Sequence, residues 1–318
     1  MIEFLTDQRF IEAASFFGLV MVEMAVLFIG VSFLVNVLTE LFPSEQIGAI
    51  LSGKKGRGYL AGAGLGAITP FCSCSTIPMT VGLLRANAGF GPTMAFLFTS
   101  PLVNPMLIAL LWMALGWRFT ALYTFCAILF TLIISFLLDR FNFQRFIDQD
   151  AIAPTCGAGK NQNTHPNDTS TGGAFRRLLA NKARLKELLA NSSEQYRTFL
   201  PYIAIGIAIG AISHGFIPEN YLVELAGSDN PWAIPASAVI GIPLYLRAST
   251  MVPMIMPLAA KGVALGALAA LIIGAAGASL PEVIMLKRLF RLPLMAAFLL
   301  SVFTIAIATG FAFEWLIA

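Results

Sequence analysis

Apolar stretches of at least ~18 residues recur along nearly the whole of this chain, and nothing else in it constrains the fold as strongly. Eight hydrophobic units are legible, at about residues 12–39, 59–84, 90–116, 118–139, 197–215, 232–260, 263–286 and 293–316. Sequences that form membrane barrels show ~10-residue alternating segments instead, so each unit reads as helix. Of the 318 residues, 58% are hydrophobic and 12% charged, and the mean hydropathy is +0.80. Soluble domains carry about 25% charged residues. The expected fold class is an all-α polytopic membrane protein with the lipid bilayer as a partner. A homo-oligomer is compatible with that class. The formal charge of +3 gives no reason to expect a nucleic-acid partner, because the basic residues lie between apolar segments, as topology determinants do. Met1 to Asp7 lack a basic n-region, and the stretch after Arg9 is too long for a signal core, so no cleavable signal is expected.

Four units are interrupted in similar ways. Pro70 and Ser75-Thr76-Ile77-Pro78 break the second, and Thr99-Ser100-Pro101-Leu102-Val103-Asn104-Pro105 the third. Pro243 and Ser249-Thr250-Met251-Val252-Pro253 break the sixth, and Gly277-Ala278-Ser279-Leu280-Pro281 the seventh. A Ser, Thr or Asn followed closely by proline is how a helix starts, since proline lacks only an N–H that would be unpaired there anyway. Each break should open a new half-helix. Lipid does not tolerate unpaired backbone at such a break unless protein or a polar cavity surrounds it.

The breaks match in pairs. Pro70 matches Pro243, Ser75-Thr76 matches Ser249-Thr250, Pro78-Met79 matches Pro253-Met254, and Pro105 matches Pro281, with an offset that drifts only from 173 to 176. Such constancy reads as an internal duplication of about four hydrophobic units. On this register Cys72 falls opposite Tyr245 and Cys74 opposite Arg247. The expected domains are a first membrane repeat at 1–140, a cytoplasmic linker at 141–196 and a second membrane repeat at 197–318.

Charge then sets orientation. Lys54, Lys55 and Arg57, the group Arg176, Arg177, Lys182, Arg184 and Lys186, and the group Lys287, Arg288 and Arg291 should all be cytoplasmic. The loop with Glu219, Glu224 and Asp229 should face outward. These placements require one re-entrant unit in each half and opposite topology of the two halves. That is the inverted-repeat plan of many secondary transporters, whose broken helices meet near the bilayer midplane. Residues 154–173 read as a flexible linker. Phe175, Leu178, Leu179, Leu185, Leu188 and Leu189, with basic residues between them, read as an amphipathic helix on the inner leaflet.

The chemistry-bearing residues cluster at the breaks. Cys72 and Cys74 flank Ser73 inside the second unit. Residues two apart on a continuous helix diverge, whereas on an extended stretch they share a face. An unwound backbone would therefore let both thiols hold one soft ligand, such as Cu(I), Zn(II) or a trivalent arsenical. Two cysteines cannot close a structural zinc site, which needs four ligands. They act as metal ligands only if the substrate is itself a soft metal. Their plain alternative is packing, since free cysteine is often buried and inert. Binding a soft electrophile releases protons from thiols, and a carboxylate within the membrane could carry the exchanged proton. Glu282, just after Pro281, and Glu23, in the first unit, are the candidates. Helix capping is the alternative role for Glu282. Ser73, Ser75, Thr76, Thr99, Ser100, Asn104, Arg247, Ser249 and Thr250 are the other candidate substrate-binding residues, with backbone capping as the bland reading of the hydroxyl and amide groups. Cys126 reads as packing and Cys156 as incidental. Only His165 and His214 are present, too few for a His-rich metal site. No nucleotide-binding loop and no HExxH occurs, so neither a cofactor nor ATP-driven or proteolytic chemistry is expected.

The run Thr69-Pro70-Phe71-Cys72-Ser73-Cys74-Ser75-Thr76-Ile77-Pro78, together with Thr99-Ser100-Pro101-Leu102-Val103-Asn104-Pro105, resembles the YraQ-like predicted permeases, a family that includes the organoarsenical efflux permeases. The resemblance covers most of the membrane portion. It implies a multi-pass permease of the bacterial inner membrane, not an enzyme, with a small-molecule or ion substrate. Arsenic binding, where it occurs in that family, would fall here to Cys72 and Cys74. A third cysteine is sometimes invoked for such substrates, and in a span only Cys126 is available. The expected function is export of a small soft, thiol-reactive solute, such as a trivalent organoarsenical, in exchange for protons. The alternatives are a permease for another small solute, such as a metal ion or sulfur compound, and a membrane thiol oxidoreductase. Redox pairs usually have two intervening residues, which disfavours the last.

Overall fold

The computed structural model describes residues 56–69, 73–85, 88–148, 232–244, 262–287 and 289–317, with scattered helical positions in 15–33, 189–201 and 255–259. Among these residues the named elements are all helical: α1 (Arg57–Ile68), α2 (Ser73–Arg85), α3 (Phe90–Leu102), α4 (Pro105–Arg140), a 3-10 turn (Phe143–Phe146), α5 (Ala233–Leu244), α6 (Leu265–Gly277), α7 (Leu280–Leu286) and α8 (Leu292–Ile317).

The helix ends follow from local chemistry. Proline disfavours the α conformation in the residue before it. Thr69 and Asn104, each followed by proline, are extended, and α1 stops at Ile68 while α4 starts at Pro105. The Thr69 hydroxyl donates back to Leu65 O at 2.8 Å and Gly66 O at 3.1 Å, which satisfies carbonyls left open at the α1 terminus. Within α4, Gly116 adopts φ 83°, so the helix turns there and a second rod runs from Trp117 to Arg140. Only glycine takes up that conformation without strain. This rod and α8 are long and apolar enough to cross a bilayer. Phe125, Leu129, Ile133 and Phe136 form an exposed apolar stripe along the rod, as a lipid-facing surface requires.

The core lies on α3 and α6. Every residue of α3 and most of α6 are buried. A helix that is apolar all round must be surrounded on all sides. Glycines let the backbones approach closely. A methyl on Gly62 of α1 would run into Pro92 O of α3, and one on Gly274 of α6 would run into Ala238 O of α5.

Among the described residues, parts of this arrangement recur at a constant offset. α1 and α5 each have 12 residues, α3 and α6 each have 13. α3 and α6 start at Phe90 and Leu265, an offset of 265 − 90 = 175. The same offset relates the close contacts. A Cβ on Gly66 would lie 3.0 Å from Phe96 O and 3.0 Å from Ser100 N, and one on Gly241 would lie 2.6 Å from Leu271 O and 2.9 Å from Ala275 N. It also relates the breaks: Asn104 has φ −71° and ψ 135°, and Ser279 has φ −61° and ψ 144°.

Two contacts fix what lies at one end of the bundle. The Tyr59 hydroxyl donates to Asp139 Oδ2 at 2.5 Å, joining the start of α1 to the end of α4. The stretch after α4 then pairs with the start of α8: Asp148 N donates to Leu289 O at 2.9 Å and Arg291 N to Phe146 O at 3.0 Å, around an antiparallel bridge between Ile147 and Phe290. Arg57, Arg140, Arg145, Lys287 and Arg291 therefore share this end. Exposed Trp117 and Trp315 stand at the other end of the two long rods. Exposed Trp232 joins them, because Ile234 of α5 packs beside Gly310 of α8.

Candidate functional site

The breaks between α3 and α4 and between α6 and α7 come together. A methyl on Gly277 would lie 3.1 Å from Leu102 Cδ2, so the C-terminal ends of α3 and α6 touch. Leu102 and Gly277 are themselves 175 positions apart (277 − 102), the offset of the repeat. The hydroxyls of Thr76 and Ser100 lie 3.1 Å apart, which joins α2 to α3. α2 also packs against α7. One junction thus gathers the helix that carries Cys74, the helix that carries Glu282, and both breaks.

The predicted residues fall into three groups here. Thr76, Thr99, Ser100 and Glu282 are fully buried, and Asn104 is half-buried. The Thr99 Oγ1 has no hydrogen-bond partner. The Asn104 side chain accepts from Met106 N at 2.9 Å, so Asn104 caps α4. Ser73, Cys74 and Ser75 form the first turn of α2. Cys72, Arg247, Ser249, Thr250 and Glu23 lie outside the described residues. The backbone at Cys74 is already helical, which differs from the extended stretch expected from the sequence. The helix starts at Ser73, two residues before the Ser75 start expected from the sequence. Cys126 is buried on α4 with a free thiol, the packing position expected of it.

Sequence reasoning missed two residues. Tyr123, fully buried, donates its hydroxyl to Leu102 O at 3.1 Å and so satisfies the last carbonyl of α3. A tyrosine within an apolar span must find such a partner, and that was the available signal. Ser279 is 4% exposed, and its hydroxyl neither caps α7 nor meets any other partner. The spacing Ser279-Leu280-Pro281-Glu282 has the form of a capping box, but the serine does not use it.

Among the described residues no group of three or more His, Cys, Asp or Glu could hold a metal ion. A family model described as "Predicted permease" matches residues 9–315. The chain belongs to that family. This permease is 22% identical to a UPF0718 protein of Methanocaldococcus jannaschii, with 72% of this chain and 74% of the relative covered. It is 24% identical to the UPF0718 protein YcgR of Bacillus subtilis, with 70% of each covered. It is 22% identical to YraQ of Escherichia coli, with 80% of this chain and 67% of the relative covered. No solved structure matches the permease significantly. Membership makes the chain a membrane permease, and two of its described helices, α4 and α8, are long and apolar enough to cross a bilayer.

Proposed function

We propose that this permease is a secondary transporter of the bacterial inner membrane, built from two inverted repeats, which exports a small soft, thiol-reactive solute such as a trivalent organoarsenical in exchange for protons. The observation that carries this reading is the contact between Leu102 and Gly277. Where two halves are related by a two-fold axis, a position that touches its own counterpart lies at that axis. Transporters built from inverted repeats place their substrate site there, between broken helices.

Inversion is supported by the pairing of Phe146–Asp148 with Leu289–Arg291. The rod from Trp117 and α8 correspond at the repeat offset, yet one ends where the other begins. The end that carries Arg57, Arg140, Arg145, Lys287 and Arg291 is cytoplasmic by the positive-inside rule, and the exposed tryptophans at the other end form the outer interfacial belt. The linker at 141–196 starts from the cationic end and is cytoplasmic with it.

The chemistry follows from the junction. Cys72 and Cys74 form two As–S bonds as two As–O bonds break, and the thiol protons leave with the hydroxyls as water. Thr76, Thr99 and Ser100 line the approach, and Arg247, Ser249 and Thr250 serve the opposite half. Glu282 carries the exchanged proton, with Glu23 as the other carboxylate in a span. The packing of α2 against α7 brings the thiol-bearing and carboxylate-bearing helices together.

The test is growth of an arsenic-sensitive bacterium on methylarsenite. The wild-type gene is expected to protect, and Cys72→Ser and Cys74→Ser are each expected to reduce protection to that of the empty vector at equal membrane abundance. Equal protection by both variants removes the thiols from the mechanism.

A further inference from the structure

The two repeat-related breaks do not use their polar groups in the same way. At the first, the Leu102 carbonyl is held by the Tyr123 hydroxyl at 3.1 Å, Asn104 caps α4 through Met106 N at 2.9 Å, and Ser100 pairs with Thr76. At the second, the position that corresponds to Tyr123 is Phe298 (298 − 123 = 175), which has no hydroxyl and instead stacks on Phe98 with ring centroids 5.1 Å apart. The position that corresponds to Asn104 is Ser279, whose buried hydroxyl caps nothing and has no partner. Leaving a buried hydroxyl without a partner is costly; Thr99 at the first break shares that condition on a helix without a titratable side chain, whereas Ser279 has one close by. Three residues on, Glu282 is fully buried in the first turn of α7. The side chains at a helix cap and three residues later lie side by side, which is what makes a capping box feasible.

We propose that the breaks have divided the work: the first is a structural joint, and the second is the proton-binding joint, where the Ser279 hydroxyl, which is not bonded to Glu282 in this structure, turns to hydrogen-bond the Glu282 carboxyl as it gains and loses the coupling proton. This rests on the reading of the protein as a proton-coupled permease. Ser279 is a positioning residue and Glu282 is the carrier. The hydroxyl donates when Glu282 is a carboxylate and accepts when it is a carboxylic acid, so it serves both states. Among the described elements, α2 packs on α7, and its titratable residues are Cys74 and Arg85; Lys287 follows the end of α7. α3 and α6 carry no titratable side chain, and α8 carries only exposed Glu314 at its far end.

The test is infrared titration of the purified, full-length protein in lipid, which needs neither substrate nor transport and so fails independently of the export reading. A carbonyl stretch of a protonated carboxyl is expected in the wild type, to vanish with rising pH, and to be absent in Glu282→Gln. In Ser279→Ala the band should move to higher frequency, having lost a hydrogen bond. The midpoint of its titration should rise by about one pH unit, a tenfold change in proton affinity. Ser279→Thr should restore both. Asn104→Ala, at the structural joint, should leave the band unmoved while lowering thermal stability. If Ser279→Ala leaves frequency and midpoint unchanged, or Asn104→Ala moves them as far, the division of labour is wrong. Should Glu282→Gln fail to fold, Glu282→Asp with and without Ser279→Ala gives the same comparison.

Discussion

Gly62→Leu is expected to remove folded protein from the membrane. The Cβ that any other residue brings at this position runs into the carbonyl of Pro92 on α3. The obstacle is backbone within a fully buried helix, so no side chain can rotate away and α1 has to move off α3. Overpacking in a close-packed interior costs about 1–3 kcal/mol when side chains yield, and here the cost should be about 3 kcal/mol or more. Monodisperse yield on size exclusion and the thermal unfolding midpoint are the readouts. Gly64→Leu is the control, since a Cβ there meets nothing within 4 Å, on the same helix and only two residues away. Equal loss in both variants would mean that glycine content matters and the α1–α3 contact does not.

Glu282→Gln is expected to abolish proton-driven transport while leaving substrate binding in place. The amide has nearly the shape of the carboxyl and keeps hydrogen-bonding capacity, so the α7 start should survive. What it loses is the ability to take and release a proton. Removing a group that transfers protons typically costs a factor of 10²–10⁴, so net export driven by a pH gradient should fall by about 100-fold or more. Exchange of solute on one side for solute on the other, which moves no net proton, should persist. A variant that keeps gradient-driven export would remove Glu282 as the carrier. One that loses exchange as well would make it a structural group.

The parts of this architecture that were legible in the sequence are those set by local backbone chemistry. Thr69-Pro70, Asn104-Pro105 and Ser279-Leu280-Pro281 announce helix ends because proline restricts its predecessor and suits a first turn. The structure ends or starts helices at Ile68, Pro105 and Leu280. The gap between the third and fourth apolar units falls at Gly116, where φ is positive. The near-constant spacing of the prolines pointed to an internal repeat; among the described helices α1 and α5 have 12 residues each, α3 and α6 have 13 each, and their glycine contacts recur at one offset. What could not be read depends on which surfaces meet. The donation from Tyr123 to Leu102 O joins residues 21 apart in sequence. The clamp between Phe146–Asp148 and Leu289–Arg291 joins segments from opposite halves. The start of α2 at Ser73, with Cys74 already helical, comes earlier than the Ser75-Thr76-Ile77-Pro78 break suggested. The hydroxyl of Ser279 looked like a cap, and only its burial without a partner sets it apart from Asn104.

Methylarsenite accumulation by everted membrane vesicles, energised to an acidic interior, tests the central claim most directly. Wild-type vesicles should accumulate the arsenical, a protonophore should abolish the accumulation, and Cys72→Ser/Cys74→Ser vesicles at equal protein abundance should match vesicles without the permease. Accumulation that persists in the double variant, or that ignores collapse of the pH gradient, would contradict a thiol-bound, proton-exchanged solute at the junction of the two breaks.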